Sequence, residues 1–148
     1  MLRVSRLTDY ATLLMTCLAS APGEIVSAVQ LADSARLETP TVSKLLKLLT
    51  HAGLVESFRG AAGGYRLARP ADSISVAEVV EAVEGPIGMT DCGISHGQCD
   101  REAYCGVRLN WQRINAQVDA TLRAVSVADM AGPPLTMISI PVSAIARM

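Results

Sequence analysis

Aromatic residues are scarce in this chain, with one Trp, one Phe and three Tyr among 148 residues. A core with so few rings has to be packed from Leu, Val, Ala and Met, side chains that suit helices, so a mainly α protein is expected. There are only four cysteines, too few for a disulfide-dense framework, and the chain is long enough to bury one proper core, or a small core plus an accessory helix, without such staples. No apolar run approaches the roughly 18 residues of a membrane span. A soluble, cytoplasmic protein with no membrane partner is therefore expected, in a compartment where thiols stay reduced and clustered cysteines more often bind metal than pair.

Strong net charge is also lacking, at −1 overall, but the average conceals an asymmetry. Up to Arg69 there are eight Lys/Arg against five Asp/Glu, and from Pro70 onward five against nine. A basic front half can meet phosphate even in a neutral protein, because the local field decides. The N-terminus, with Arg3, Arg6 and "ATLLMTCLASA", imitates a secretory leader. Thr8, Asp9, Thr12 and Thr16 interrupt its apolar run at helical intervals, while Leu7, Tyr10/Ala11, Leu14 and Cys17/Leu18 follow one helical stripe. It reads as an amphipathic helix.

After "APGE", Ser27 caps a second helix, "AVQLADSA". A short turn, "RLE", leads to Thr39, of N-cap type, with Pro40 at the first helical position. The third helix places Val42, Leu45, Leu46 and Leu49 on one face and ends at Gly53. Two short helices across a tight turn make a helix-turn-helix. "LVESF" and "YRLARP" then read as strands around "RGAAGG", which adds a wing. Ser75 opens a helix with Val76, Val79, Val80 and Val83 on its apolar face. From about Tyr104 to Val125 a long helix carries Leu109, Trp111, Ile114, Val118, Leu122 and Val125. Such a helix beyond a compact domain needs a partner, and a second copy is the simplest. Ser126 caps one more short turn.

The fold class is thus mainly α with a small β-wing: a winged helix-turn-helix region (1–70), a linking helix with a cysteine loop (71–103), a dimerisation helix (104–131) and a tail (132–148). A recognition helix meets the major groove with polar side chains and neutralises phosphates with Lys/Arg. Thr39, Thr41, Ser43, Lys44 and Lys47 fit that face, and Arg59 at the Gly/Ala-rich wing tip, with Tyr65 beyond it, fits the minor groove. Double-stranded promoter DNA is the expected partner.

The loop "DCGISHGQCDREAYC" holds cysteines spaced Cys92-x6-Cys99-x5-Cys105. Zinc sites use tighter pairs, whereas soft thiolates at loose spacing on a flexible loop suit an iron–sulfur cluster, [2Fe–2S] or [4Fe–4S]. A metal-free thiol sensor using the same three cysteines is the competing reading, and a small electron carrier a third, disfavoured by the basic wing. Cys17, on the apolar stripe of the first helix, reads as a small core residue. Neither His has a convincing nucleophile beside it in the sequence, so no catalytic role is expected.

"LTDYA", "TPTVSKLLKLLTHAGLVESFRGAAGGYRLARP", "VEGPIGMTDC" and the later two cysteines resemble the Rrf-type winged-helix transcription regulators, the family of IscR and NsrR. Over about residues 1–130 the chain is most similar to the branch of SUF-system iron–sulfur assembly regulators. The resemblance implies a homodimer, a long crossing helix, a palindromic operator and a cluster on Cys92, Cys99 and Cys105, and with them a repressor of iron–sulfur assembly genes. It breaks at the remaining ligand. Cluster regulators of this type place a His three residues after the last cysteine, where this chain has Arg108. Nitric-oxide sensors of the family use an Asp early in the first helix of the other subunit, which Asp9 matches; His96, inside the loop, is a further option.

Overall fold

A computed structural model describes residues 3–135. Ser5 has extended backbone and its hydroxyl accepts the Thr8 N–H at 3.2 Å, which starts α1, Arg6–Ala19. A reciprocal box between Ser27 and Gln30 starts α2, Ala28–Ala35. Arg36 then turns the chain through the left-handed region, at φ 54° and ψ 44°, and delivers it into α3, Thr39–His51.

The start of α3 differs from the expectation. Glu38, not Thr39, is the cap, and Pro40 takes the second helical position. The Glu38 carbonyl accepts the first helical bond, from Val42 N–H at 3.1 Å. Pro40 still fits, because every N–H of the first turn lacks a helical acceptor. The core formed by α1, α2 and α3 includes Leu14, Met15, Leu31, Val42, Leu45, Leu46 and Leu49, all at most 1% exposed. Each Leu so buried contributes about 1.5–3 kcal/mol relative to leaving it in water.

The wing pairs β1, Val55–Phe58, antiparallel with β2, Gly64–Leu67, setting Ser57 opposite Tyr65. Both strands are shorter than the apolar alternation suggested. Gly60 turns the tip at φ +103°. Val26 adds a one-residue bridge to Tyr65, with N–H···O distances of 2.9 and 2.8 Å. The wing is thereby fixed to the loop before α2.

Ser75 and Glu78 form the box that opens α4, Val76–Glu84. Its fully buried residues are Ala77 and Val79; Val76, Val80 and Val83 are only half-buried. The reason lies in its neighbours: Val76 and Val80 look into an open groove shared with Leu122, Met130, Asp9 and Arg6. One short turn, α5 (Asp91–Ile94), carries Cys92. A 3-10 turn, Glu102–Tyr104, follows, so the long helix α6 begins at Arg108 and runs to Arg123 instead of starting near Tyr104. No residue of α6 is fully buried. A further Ser126–Asp129 box opens α7, Val127–Ala131, as the sequence suggested. The tail assigned from 132 lies, beyond residue 135, outside the described residues. Among the described residues no helix is long and apolar enough to cross a membrane.

Candidate functional site

The first part of the site is the outer face of α3 with the wing. Burying Val42, Leu45, Leu46 and Leu49 turns the opposite side of α3 to solvent, so Thr39, Ser43, Lys44 and Lys47 are exposed and Thr41 is half-buried. Arg59 is exposed at the wing tip. Among the described residues no carboxylate pairs with Lys44, Lys47 or Arg59, whereas Arg66 is held by Glu56 at 3.0 Å and lies 4.8 Å over the Phe58 ring. Three cations are thus left for an outside anion. Tyr65, expected as a DNA contact, is half-buried between α3 and the wing, in a hollow with Ser43, Lys47, Thr50, His51 and Ser57. The last three were not picked out from the sequence.

The second part is the cysteine loop. All four cysteines are free and partly buried. Cys92 stands beside Thr90, Sγ to Oγ1 at 3.2 Å, and its carbonyl accepts from Gln112 Nε2 at 3.3 Å. Asn115 is the main seat: its Oδ1 accepts the Met89 N–H at 3.1 Å, and its Nδ2 donates to Ile87 O at 3.3 Å and Gly93 O at 3.2 Å. One α6 side chain therefore grips the loop on both sides of Cys92. A hollow of about 240 Å³ lies beside Cys92, lined also by Ser95, His96 and Ala116.

The far half of the loop closes on Glu102, which lies between Cys99 and Cys105 in the sequence. Glu102 accepts from the Gly97 N–H and pairs with Arg108 at 2.7 Å, and His96 Nδ1 lies 3.1 Å from it. These neighbours, Gly97 first and His96 next, hold the Glu102 carboxyl below the usual range. Arg108 is thus tied to a carboxylate. His96 is drawn to the same clasp, with its Nδ1 also 2.8 Å from Arg108. Among the described residues no three His, Cys, Asp or Glu side chains stand together as a metal-sized group. Asp9 is exposed on α1 and faces the groove with Val76, Val80 and Leu122, apart from the hollow beside Cys92. Cys17 packs against the core and burial raises its thiol pKa, as fits a small core residue.

Between the two parts lies α4, and its three glutamates each reach a different element. Glu78 takes Arg69, at the end of the wing, at 2.6 Å. Glu81 takes Arg123 of α6 at 2.6 Å, with Asp119 closing the other side at 2.8 Å. Glu84 accepts from Ser5 N–H at 2.9 Å and from the Thr8 hydroxyl at the start of α1. Arg123 is pushed up by its two carboxylates, Asp119 before Glu81.

A helix-turn-helix with uncommitted cations, a Gly-tipped wing and a cysteine loop seated on a following helix define a DNA-binding transcriptional regulator of winged-helix type. Residues 4–133 match the Rrf2 family, described as iron-dependent transcriptional regulators. The chain belongs to that family. The HTH-type transcriptional regulator IscR of Cereibacter sphaeroides is 34% identical over 134 residues, covering 87% of this chain and 86% of that one. Among solved structures, the global cysteine regulator CymR of B. subtilis superposes with a TM-score of 0.70 at 30% identity, covering 88% of this chain and 97% of its own. IscR of T. potens gives 0.67 at 29%, covering 87% and 85%. Mainly α architecture with a β-wing, expected from composition and patterning, is the architecture found.

Proposed function

We propose that the protein is a homodimeric, iron–sulfur-cluster-responsive repressor of iron–sulfur assembly genes, working on a palindromic operator in the cytoplasm. The observation that carries the reading is the cysteine loop itself: three free, half-buried thiols, Cys92, Cys99 and Cys105, on one segment that α6 grips through Asn115 and Gln112. The donor set fits such a group. Thiolates are the soft ligands that clusters take, a hollow adjoins Cys92, and Ser95 Oγ in the loop and Arg108 Nε at the start of α6 are buried without partners, two donors suited to sulfur acceptors. The cluster would supply reversible sensitivity to oxidant, nitric oxide and iron supply.

Asp9 of a second copy is the proposed remaining ligand, because in its own chain it faces the open groove instead of the cysteines. A carboxylate is a harder donor than thiolate and leaves one weaker corner. The second copy itself is supported by α6, whose Trp111 (37% exposed) and Ile114 (45%), three residues apart on one face, are left uncovered. Residues of this chain pass the signal on. Asn115 joins the loop to α6, Arg123 joins α6 to α4, and Glu78 joins α4 to the wing through Arg69.

A second reading, a metal-free thiol switch, is favoured by the absence of a preassembled ligand group among the described residues and by the likeness to a cysteine regulator. Visible absorption of anaerobically purified protein separates the two: a chromophore lost in each Cys→Ala variant supports the cluster, and a colourless protein whose operator affinity responds to peroxide supports the thiol switch.

A further inference from the structure

Between the last turns of α3 and the wing lies a hollow of about 390 Å³ lined by Ser43, Lys47, Thr50, His51, Ser57 and Tyr65. Every one of these side chains can donate a hydrogen bond, and none is acidic. Four are hydroxyls, one is an ammonium and one an imidazole. Acids do occur nearby, but Glu56, the acid of β1, lines the neighbouring hollow and is occupied by Arg66 at 3.0 Å. The Thr50 hydroxyl oxygen, in the wall between the two hollows, is buried without a partner.

The opposing effect is the negative end of α3, which disfavours an anion at this end of the helix. Here that end is largely spent. Ala52 N–H takes the Leu48 carbonyl, Gly53 N–H the Thr50 carbonyl and Leu54 N–H the Leu49 carbonyl, each at 3.0 Å. Lys47 and His51 sit one turn apart on the same face, and the Lys47 ammonium brings the local balance back toward positive. The walls are also fixed: Tyr65 is bonded through its backbone to Val26 and paired opposite Ser57, while α3 is anchored by its buried leucines.

We infer that this hollow is a seat for one backbone phosphate of the operator, at the point where a DNA strand passes from the major groove under α3 to the minor groove under the wing. The inference rests on the DNA-binding reading and adds His51, Ser57 and Thr50 to the contacts. Lys47 supplies charge; Ser43, Ser57 and His51 supply directed donors. The site contacts no base edge, so it sets register and adds affinity without reading sequence.

The test uses the full chain and a duplex that it selects from a random pool. Single phosphates of that duplex are replaced in turn by uncharged methylphosphonates. With the wild-type chain, neutralising one phosphate per half-site should weaken binding roughly tenfold. With His51→Ala or Ser57→Ala, both at exposed positions where folding is checked by circular dichroism, the same neutralisation should cost less than about half of that factor, because one partner is already gone. Lys44, outside the hollow, serves as the comparison: Lys44→Ala should leave the sensitivity of that phosphate unchanged. Losses that simply multiply at every phosphate for all variants overturn the seat while leaving DNA binding intact. Inorganic phosphate that shifts the His51 ring resonances in the millimolar range, with no such coupling on DNA, makes the hollow a free-anion site and also overturns it. If the chain selects no duplex, the DNA-binding reading falls and takes the seat with it.

Discussion

The carboxylate of Glu84, in the last turn of α4, receives the N–H of Ser5 and the hydroxyl of Thr8 in the first turn of α1, so the helix that leads into the cysteine loop is tied to the helix that carries Asp9. Thr8 is the only polar residue among the fully buried ones described, at 1% exposure. Its hydroxyl is satisfied there by Glu84, to which it donates, and by the Ser5 hydroxyl 3.1 Å away. Thr8→Val, nearly isosteric, should lower stability by about 1 kcal/mol, the typical worth of one such bond. An unchanged denaturation midpoint would remove this contact from the account.

The same clasp has a pH signature. The Thr8 hydroxyl first, and the Ser5 N–H next, hold the Glu84 carboxyl below its ordinary value. A depressed acid stabilises the fold above its unfolded pKa, about 4.3, and loses that contribution as pH falls through the folded value. Glu84 is exposed, so the effect is screened and stays below about 1 kcal/mol. The melting temperatures of wild type and Glu84→Gln should therefore differ at neutral pH and converge as pH falls through the depressed folded value. A constant gap across that range contradicts the assignment.

Asn115 bonds both flanks of Cys92, through Met89 and Ile87 on one side and Gly93 on the other. If the loop holds a cluster, Asn115→Ala should keep the helix but loosen the loop, shortening the lifetime of the visible chromophore in air by roughly 10- to 100-fold, the usual cost of a lost supporting bond at a metal site. A bleaching rate equal to wild type would mean that the loop holds its shape without α6.

Ile114 is 45% exposed in the single chain, so Ile114→Asp should leave the monomer folded. If α6 forms the dimer seam, the charge is buried without a partner only on association, costing several kcal/mol. Sedimentation should then show a folded monomer with weakened operator binding. A surviving dimer places the seam elsewhere.

Arg59, uncommitted at the wing tip, should matter most where the minor groove is narrow. Arg59→Ala is expected to lose more affinity on A·T-rich flanks than on G·C-rich ones. Equal losses on both would make it a plain phosphate contact.

The helices were legible because their signals are local. Ser27 with Gln30, Ser75 with Glu78 and Ser126 with Asp129 are boxes spanning four residues each, and the α3 leucines keep one period from end to end. The start of α3 was misplaced by one residue because Thr and Pro at 39 and 40 suit two adjacent registers, and the turn at Arg36 chose between them. The three thiols could be seen in the sequence, but the clasp that draws His96 and Arg108 to Glu102 could not. Nor could the three-way reach of Glu78, Glu81 and Glu84, since their partners include residues as far away as Ser5. Tertiary pairings between charged residues carry no periodic signal. The hollow under Tyr65 likewise needs α3 and the wing together.

The central claim is that Cys92, Cys99 and Cys105 hold an iron–sulfur cluster whose remaining ligand is Asp9 of a second copy. Mössbauer spectra of anaerobically purified, iron-57-enriched protein address it most directly, because iron with a non-thiolate ligand gives its own quadrupole doublet. The account predicts a cluster spectrum with one such distinct site, altered or lost in Asp9→Ala, absent in any of the three Cys→Ala variants and unchanged in Cys17→Ala. A protein with no iron–sulfur spectrum, or one whose spectrum ignores Asp9→Ala and collapses in His96→Ala, would contradict it.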